Sequence, residues 1–143
     1  MKKENTDLPP GLIEAYKNTD FNVMSEKPFT IKVDVYNENL QLIYRKYSVK
    51  TACFITAYNP FSETVSKTNN QISQRRLLED LEKSEYPYFD GIGSDPSGEW
   101  EGEPSFLILG ISKKSAKELG TKYRQNAIVW CDTNCIAKLL LLR

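Results

Sequence analysis

The run Ser105-Phe106-Leu107-Ile108-Leu109-Gly110-Ile111 is apolar throughout. A strand with one solvated face alternates apolar and polar residues. A strand without alternation is covered on both sides and lies inside a sheet. This segment is therefore a central strand. Ala127 to Cys131 (AIVWC) reads as another buried strand. Thr51 to Tyr58 (TACFITAY) is β-branched and aromatic, and Asn59-Pro60 stops it, because proline cannot continue a ladder. Phe29 to Val35 alternates cleanly, which predicts a half-buried strand. Tyr86 to Phe89 and Ile136 to Leu142 are shorter candidates.

Between these runs the period changes to that of a helix. Leu12, Ala15 and Tyr16 follow Pro9-Pro10-Gly11 at i, i+3, i+4 spacing. Leu40, Ile43, Tyr44 and Tyr47 predict a helix over 38–47, with a strand through Leu40, Leu42 and Tyr44 as the alternative. Ser66 to Ser84 carries the stripe Leu77, Leu78, Leu81, and Thr68-x-x-Gln71 matches a capping box near its start. Ser112 is placed to cap a helix from Lys113 to Tyr123. Asp90 to Glu103 reads as a turn-rich loop holding Gly91, Gly93, Pro96 and Gly98.

From residue 51 the order is β-α-β-β-α-β. This predicts one α+β domain over 1–143 with a ferredoxin-like, split βαβ sheet, mostly antiparallel. Its helices would lie on one face, with an N-terminal helix–strand–helix extension. Residues 1–8 are polar and expected to be disordered. A doubly wound parallel sheet is the alternative, disfavoured because 86–111 offers no helix between its strands.

The chain has no histidine. That removes Ser-His-Asp and Cys-His catalysis and every histidine-based metal site. Lys plus Arg and Asp plus Glu are 19 each, so salt-driven nucleic-acid binding by the whole molecule is disfavoured. Cys53, Cys131 and Cys135 form no disulfide framework, and Cys131 and Cys135 are expected to stay unbonded. No signal peptide follows Met1-Lys2-Lys3-Glu4-Asn5, and no apolar run is long enough to span a bilayer. The expected location is the cytoplasm, without membrane association.

Gly93 to Gly98 has the spacing of a phosphate loop. Glu99-Trp100 follows where lysine and a hydroxyl are required, so the chemistry fails. Residues 85–103 hold six acids and no base but lack the order of a calcium loop. Residues 113–143 hold seven bases without an aromatic-stacking motif, which reads as a solvated face. No S-x-x-K supplies a lysine base, and no complete base–nucleophile set exists. No catalytic residue, metal or cofactor is assigned.

The informative feature is a stripe that changes character. Ser66, Asn70 and Gln74 continue the line of Leu77 and Leu81, so a packing face turns polar toward one end. In a split βαβ sheet that end meets the end of the first strand and the starts of the third and fourth. Asn59, Asn70, Gln74, Trp100, Glu103, Gln125 and Asn126 are therefore expected to converge on one rim as a ligand-binding set. Amides both donate and accept, which suits a neutral or zwitterionic polar ligand, with Glu103 the sole charge. The reading is a binding module with an amide-rich pocket for a small polar ligand or peptide. One alternative is an enzyme using Glu103 with Asn59, Gln125 and a water. Another is an immunity or regulatory module that meets a protein partner through the acidic loop. Trp100, among glycine, proline and acids, has little local core to fill and is expected to matter for binding.

Four ordered blocks resemble a bacterial family of uncharacterised proteins, Domain of Unknown Function thirty-two ninety-three. They are Phe54-Ile55-Thr56-Ala57-Tyr58-Asn59-Pro60-Phe61-Ser62, Ser66 with Asn70, Trp100 through Gly110, and Gln125-Asn126-Ala127-Ile128-Val129-Trp130. Ala15-Tyr16 adds to the likeness. The resemblance implies a small bacterial protein with no assigned activity. It also marks two departures: Asn69 stands where the family usually has an acid, and Arg124 where it typically has glycine.

Overall fold

The computed structural model describes residues 6–143. It is a single-domain α+β structure with four α-helices and one seven-stranded antiparallel sheet. In chain order the elements are α1 (Pro10–Lys17), β1 (Asp20–Val23), β2 (Phe29–Ile31), α2 (Glu38–Tyr47), β3 (Ala52–Ile55), α3 (Lys67–Ser84), β4 (Tyr88–Ser94), β5 (Glu103–Leu109), α4 (Lys113–Lys122), β6 (Ala127–Cys131) and β7 (Ala137–Leu141). The strands lie in the order β2-β1-β4-β5-β3-β6-β7. The apolar run at Ser105 is β5, held between β4 and β3, with Leu107 opposite both Phe89 and Phe54.

The sheet curls. After β2 the chain crosses to the opposite edge strand: Asp34 N–H donates to Ala137 O (2.8 Å), Asn37 N–H donates to Cys135 O (2.9 Å), and Tyr36 bridges Ile136. The two edges are thus tied together at one end. Inside the curl, Phe21, Ile31, Phe54, Leu107, Val129 and Ala137 form one core, capped by Leu40 and Tyr44 of α2. Outside it, Cys53, Ile55, Phe106, Ile108 and Trp130 form a second core under Leu77 and Leu81 of α3 and Ala116 of α4. Alternate side chains of each strand feed the two cores, and this is why the β5 run has no polar period.

Helices therefore cover both faces, not one: α3 and α4 lie outside the curl, and α2 plugs its inside. The N-terminal extension holds two strands instead of one. The expected strand over 29–35 ends at Ile31, because Asp34 takes a left-handed backbone (φ 67°) as the chain turns away. The expected loop over 90–103 is shorter, since β4 continues to Ser94. Helix α2 spans 38–47 as expected, capped by Asn37 Oδ1 accepting from Leu40 N–H. Helix α3 is capped by Ser66 Oγ on Asn69 N–H, not by the Thr68–Gln71 box. Ser112 caps α4, as expected. Of the segment expected to be disordered, residues 1–5 lie outside the described residues, whereas Leu8 is buried. No helix among the described residues is long and apolar enough to cross a membrane.

All three cysteines are buried and unbonded. Burial pushes the Cys131 thiol up to about 12, with nearby Cys135 adding to the effect. A thiol held protonated in this way is a poor nucleophile.

Arg124 follows the end of α4 with a left-handed backbone (φ 55°), the position where helices most often carry glycine. Its N–H donates to Thr121 O, and Gln125 N–H donates to Gly120 O, closing the helix end. A Cβ there is strained. Arg124→Gly is expected to stabilise the fold by about 0.5–1 kcal/mol, read as a higher urea midpoint at unchanged slope. An unchanged or lower midpoint would show the arginine side chain to be supporting the turn.

Candidate functional site

One cavity of about 690 Å³ opens at the mouth of the curl, at the end opposite the edge-to-edge tie. That volume lies within the ordinary range for small-ligand pockets. Its floor is apolar and comes from the inner face of the sheet: Phe21, Phe54, Val129 and Leu139. Helix α1 closes one side with Leu12, Ala15 and Tyr16. Residues of segments 56–67 and 100–105, with Asn70 and Gln125, form further parts of the wall.

The wall is built on Asn59. Its backbone is left-handed (φ 46°), as are Phe61 (φ 56°) and Ser62 (φ 61°). Asparagine tolerates this conformation, but phenylalanine and serine cost about 1 kcal/mol or more each. The surroundings fix the turn. Asn70 Oδ1 accepts from Asn59 N–H (2.8 Å), and Asn70 Nδ2 donates to Asn59 Oδ1 (2.9 Å). Val65 N–H donates to the same Oδ1 (3.2 Å), and Phe61 N–H donates to Arg124 O (2.6 Å). The Arg143 guanidinium lies 4.1 Å over the Phe61 ring. With Oδ1 so occupied, Asn59 Nδ2 points at Glu103 Oε2 and donates to it (2.8 Å).

Asn59, Asn70, Trp100, Glu103 and Gln125 all line this cavity. Gln74 and Asn126 stand behind its wall. Gln74 Oε1 accepts from Ala57 N–H (2.9 Å), which leaves the buried Nε2 without a partner among the described residues. Asn126 Nδ2 donates to Tyr16 Oη and Ser62 Oγ (3.1 Å each), and its Oδ1 accepts from Arg143 (3.1 Å). Tyr16 and Ser62 also bond each other, which ties α1 to the wall. Gln125 Nε2 donates to Tyr58 O and Tyr123 O (3.2 Å each) and makes no hydrogen bond to Glu103. Glu103 is not the sole charge, because Glu101 and Lys67 also line the cavity.

Sequence reasoning missed α1 as a wall, and with it Tyr16. It also missed Thr56, Tyr58, Ser62 and Ser105. The signal available was the resembling block Phe54 to Ser62 and the pair Ala15-Tyr16, which hold Thr56, Tyr58, Ser62 and Tyr16. The acidic loop proves partly self-contained. Asp95 accepts from Ser97 Oγ (2.7 Å), Ser97 N–H (2.9 Å) and Glu99 N–H (2.9 Å), and these bonds, the Ser97 hydroxyl first, lower its pKa. Among the described residues no group of three metal-ligating side chains forms.

Burial pushes the Glu103 carboxyl above its ordinary value, and the Asn59 hydrogen bond offsets this only in part. Glu103 thus prefers its protonated form more when folded than when unfolded. Its contribution to stability is complete below the unfolded pKa, about 4.3, and is lost as pH rises through the higher folded value. Glu103→Gln keeps the shape and removes that loss. The variant is expected to melt above wild type at neutral pH and with it near pH 4. A lower melting temperature at neutral pH would show the ionised carboxylate to be structural.

A family model described as "Protein of unknown function (DUF3293)" matches residues 55–128, a span that holds all seven of the expected rim residues. No curated protein and no solved structure matches the chain.

Proposed function

We propose a function for this chain, which belongs to the DUF3293 family, from its pocket: it is a binding module for a small ligand with an apolar body and one polar head. The observation that carries this reading is the pairing of an apolar floor with the fixed Asn59–Glu103 wall in one cavity of about 690 Å³. The floor residues Phe21, Phe54, Val129 and Leu139 suit the body, and the Glu103 side of the wall suits the head. The placement of Trp100 on the cavity wall, 37% exposed, favours a ligand over a flat protein interface.

The order β4-β5-β3-β6, with α3 and α4 packed on one side of it, supports a ferredoxin-like, split βαβ reading of residues 52–131. On that reading β1, β2 and β7 extend the sheet and α1 closes its mouth. Three unbonded cysteines support a reducing, cytoplasmic setting.

The test is a thermal-shift screen with nucleotides, amino acids, amines and divalent metals. Ala15 is exposed on α1 and lines the cavity, so Ala15→Trp fills the mouth without disturbing the core. At least one compound is expected to raise the melting temperature of the wild type and not of Ala15→Trp. A compound that stabilises both equally binds elsewhere and would overturn the assignment.

A further inference from the structure

Resting on the pocket reading above, we propose that the ligand is an organic cation, a primary ammonium or amidinium group on an apolar body, received by Glu103. The wall's hydrogen-bonding groups carry the inference. Gln125 Nε2 is spent on two backbone carbonyls, and Asn126 Nδ2 on Tyr16 and Ser62. Carbonyl oxygens only accept, which fixes the orientation of Gln125. Asn70 Nδ2 is turned to Asn59 Oδ1, and Asn59 Nδ2 to Glu103. The amides therefore direct their donors into the protein.

What this fixed network leaves open toward the cavity is an acceptor on Glu103. Glu103 Oε2 accepts from Asn59, while Oε1 makes no hydrogen bond among the described residues. The ion pairs among the described residues are Lys32–Asp20, Lys122–Asp80 and Lys138–Asp34, and none involves Glu103. A half-buried carboxylate without a cationic partner gains most from a ligand that brings one. An anion would meet this carboxylate, and among the described residues Lys67 is the single base on the cavity lining. Tyr16, Tyr58, Lys67 and Glu101 are the other titratable groups on the cavity wall, and Lys67 is exposed at its outer edge. The loop 95–103 adds Asp95 and Glu99 to Glu101 and Glu103 and contains no base. Aromatic faces at Phe21, Phe54, Tyr58 and Trp100 supply further attraction for a cation seated among them.

Three probes sharing one apolar body separate the possibilities: 2-phenylethylammonium, 2-phenylethanol and 3-phenylpropanoate. Binding is read by NMR from the Trp100 indole N–H, at up to roughly millimolar concentration. The expected result is that the wild type binds the ammonium at least about tenfold more tightly than the alcohol and takes the carboxylate least. Glu103→Gln is expected to remove that preference while keeping its affinity for the alcohol. In the wild type the preference should also fade as pH falls through the Glu103 titration. If the alcohol or the carboxylate binds as well as the ammonium, and Ala15→Trp blocks it, the cation class is wrong while the pocket reading stands. A preference for the ammonium that survives Glu103→Gln overturns Glu103 as its receptor. Binding that survives Ala15→Trp overturns the pocket reading, and failure of all three probes overturns both.

Discussion

Asn70→Ala is expected to cost about 2–3 kcal/mol and to abolish ligand binding even where the fold survives. Asn70 is 5% exposed and sits on the first turns of α3, facing the end of β3. Its Oδ1 is the partner of the Asn59 backbone N–H, and its Nδ2 helps hold Asn59 Oδ1. Alanine leaves that N–H without its partner and frees the Asn59 side chain to rotate. The turn at Asn59, Phe61 and Ser62 is already unfavourable in isolation, so it relaxes once an anchor is lost. Asn59 Nδ2 then no longer aims at Glu103, and one wall of the cavity loses its shape. Urea denaturation gives the stability change, and the pocket probes give the binding change. Asn70→Asp separates the two bonds. It keeps an acceptor for the N–H but sets a carboxylate oxygen against Asn59 Oδ1. Its stability is expected between wild type and alanine, with binding still lost. Wild-type stability in Asn70→Ala would mean that water replaces both bonds and that Asn70 is no anchor.

Much of this architecture can be read from the chain, and its gaps have physical causes. The β5 run and the helical period of 38–47 are legible because burial leaves a pattern in local sequence. The polar end of the α3 stripe is legible for the same reason: Ser66, Asn70 and Gln74 continue a line that Leu77 and Leu81 begin. Strand β1 is not. Asp20-Phe21-Asn22-Val23 is four residues long and half polar, and pairing with both β2 and β4 makes it a strand. That information lies in residues 29–31 and 91–94, not in β1 itself. The place of α2 inside the curl is illegible too, since an amphipathic helix does not say which face of a sheet it meets. The edge-to-edge tie that sets this choice consists of backbone bonds at Asp34 and Asn37. The wall of the pocket was half legible. Its amides stand out as polar residues at element ends, but their donors turn inward, which only coordinates reveal. Tyr16 lies more than a hundred residues from Asn126, and nothing local links them.

The glycines of β4 show how a sequence signal can be read with the wrong sign. Gly91 and Gly93 look like loop punctuation, yet both lie in a paired strand without a left-handed backbone. The reason lies across the sheet. The inner face is kept low at Gly91 and its β5 neighbour Ser105, and the Phe54 ring from β3 reaches over to occupy that space. There it meets Phe21 edge-on, with centroids 5.1 Å apart, and forms part of the pocket floor. A Cβ on Gly91 would lie 2.7 Å from Phe54 Cε2 and 2.8 Å from Asn22 O. The ring packs edge-on against Phe21, and the carbonyl belongs to the paired strand β1, which does not give way cheaply. Gly91→Ala is expected to cost about 2–3 kcal/mol through overpacking. Because Phe54 would be pushed toward the cavity, any remaining folded protein should bind pocket probes less tightly. Gly93→Ala is the control. Its Cβ would meet only Thr19 Cγ2, at 3.8 Å. Alanine also restricts the unfolded chain, so this variant is expected to stay within about 0.5 kcal/mol of wild type. Urea midpoints for the two variants test the account. Equal losses would mean that β4 resists any side chain on its inner face. A severe loss at Gly91 alone means that the glycine is there to seat Phe54, and with it the floor of the site.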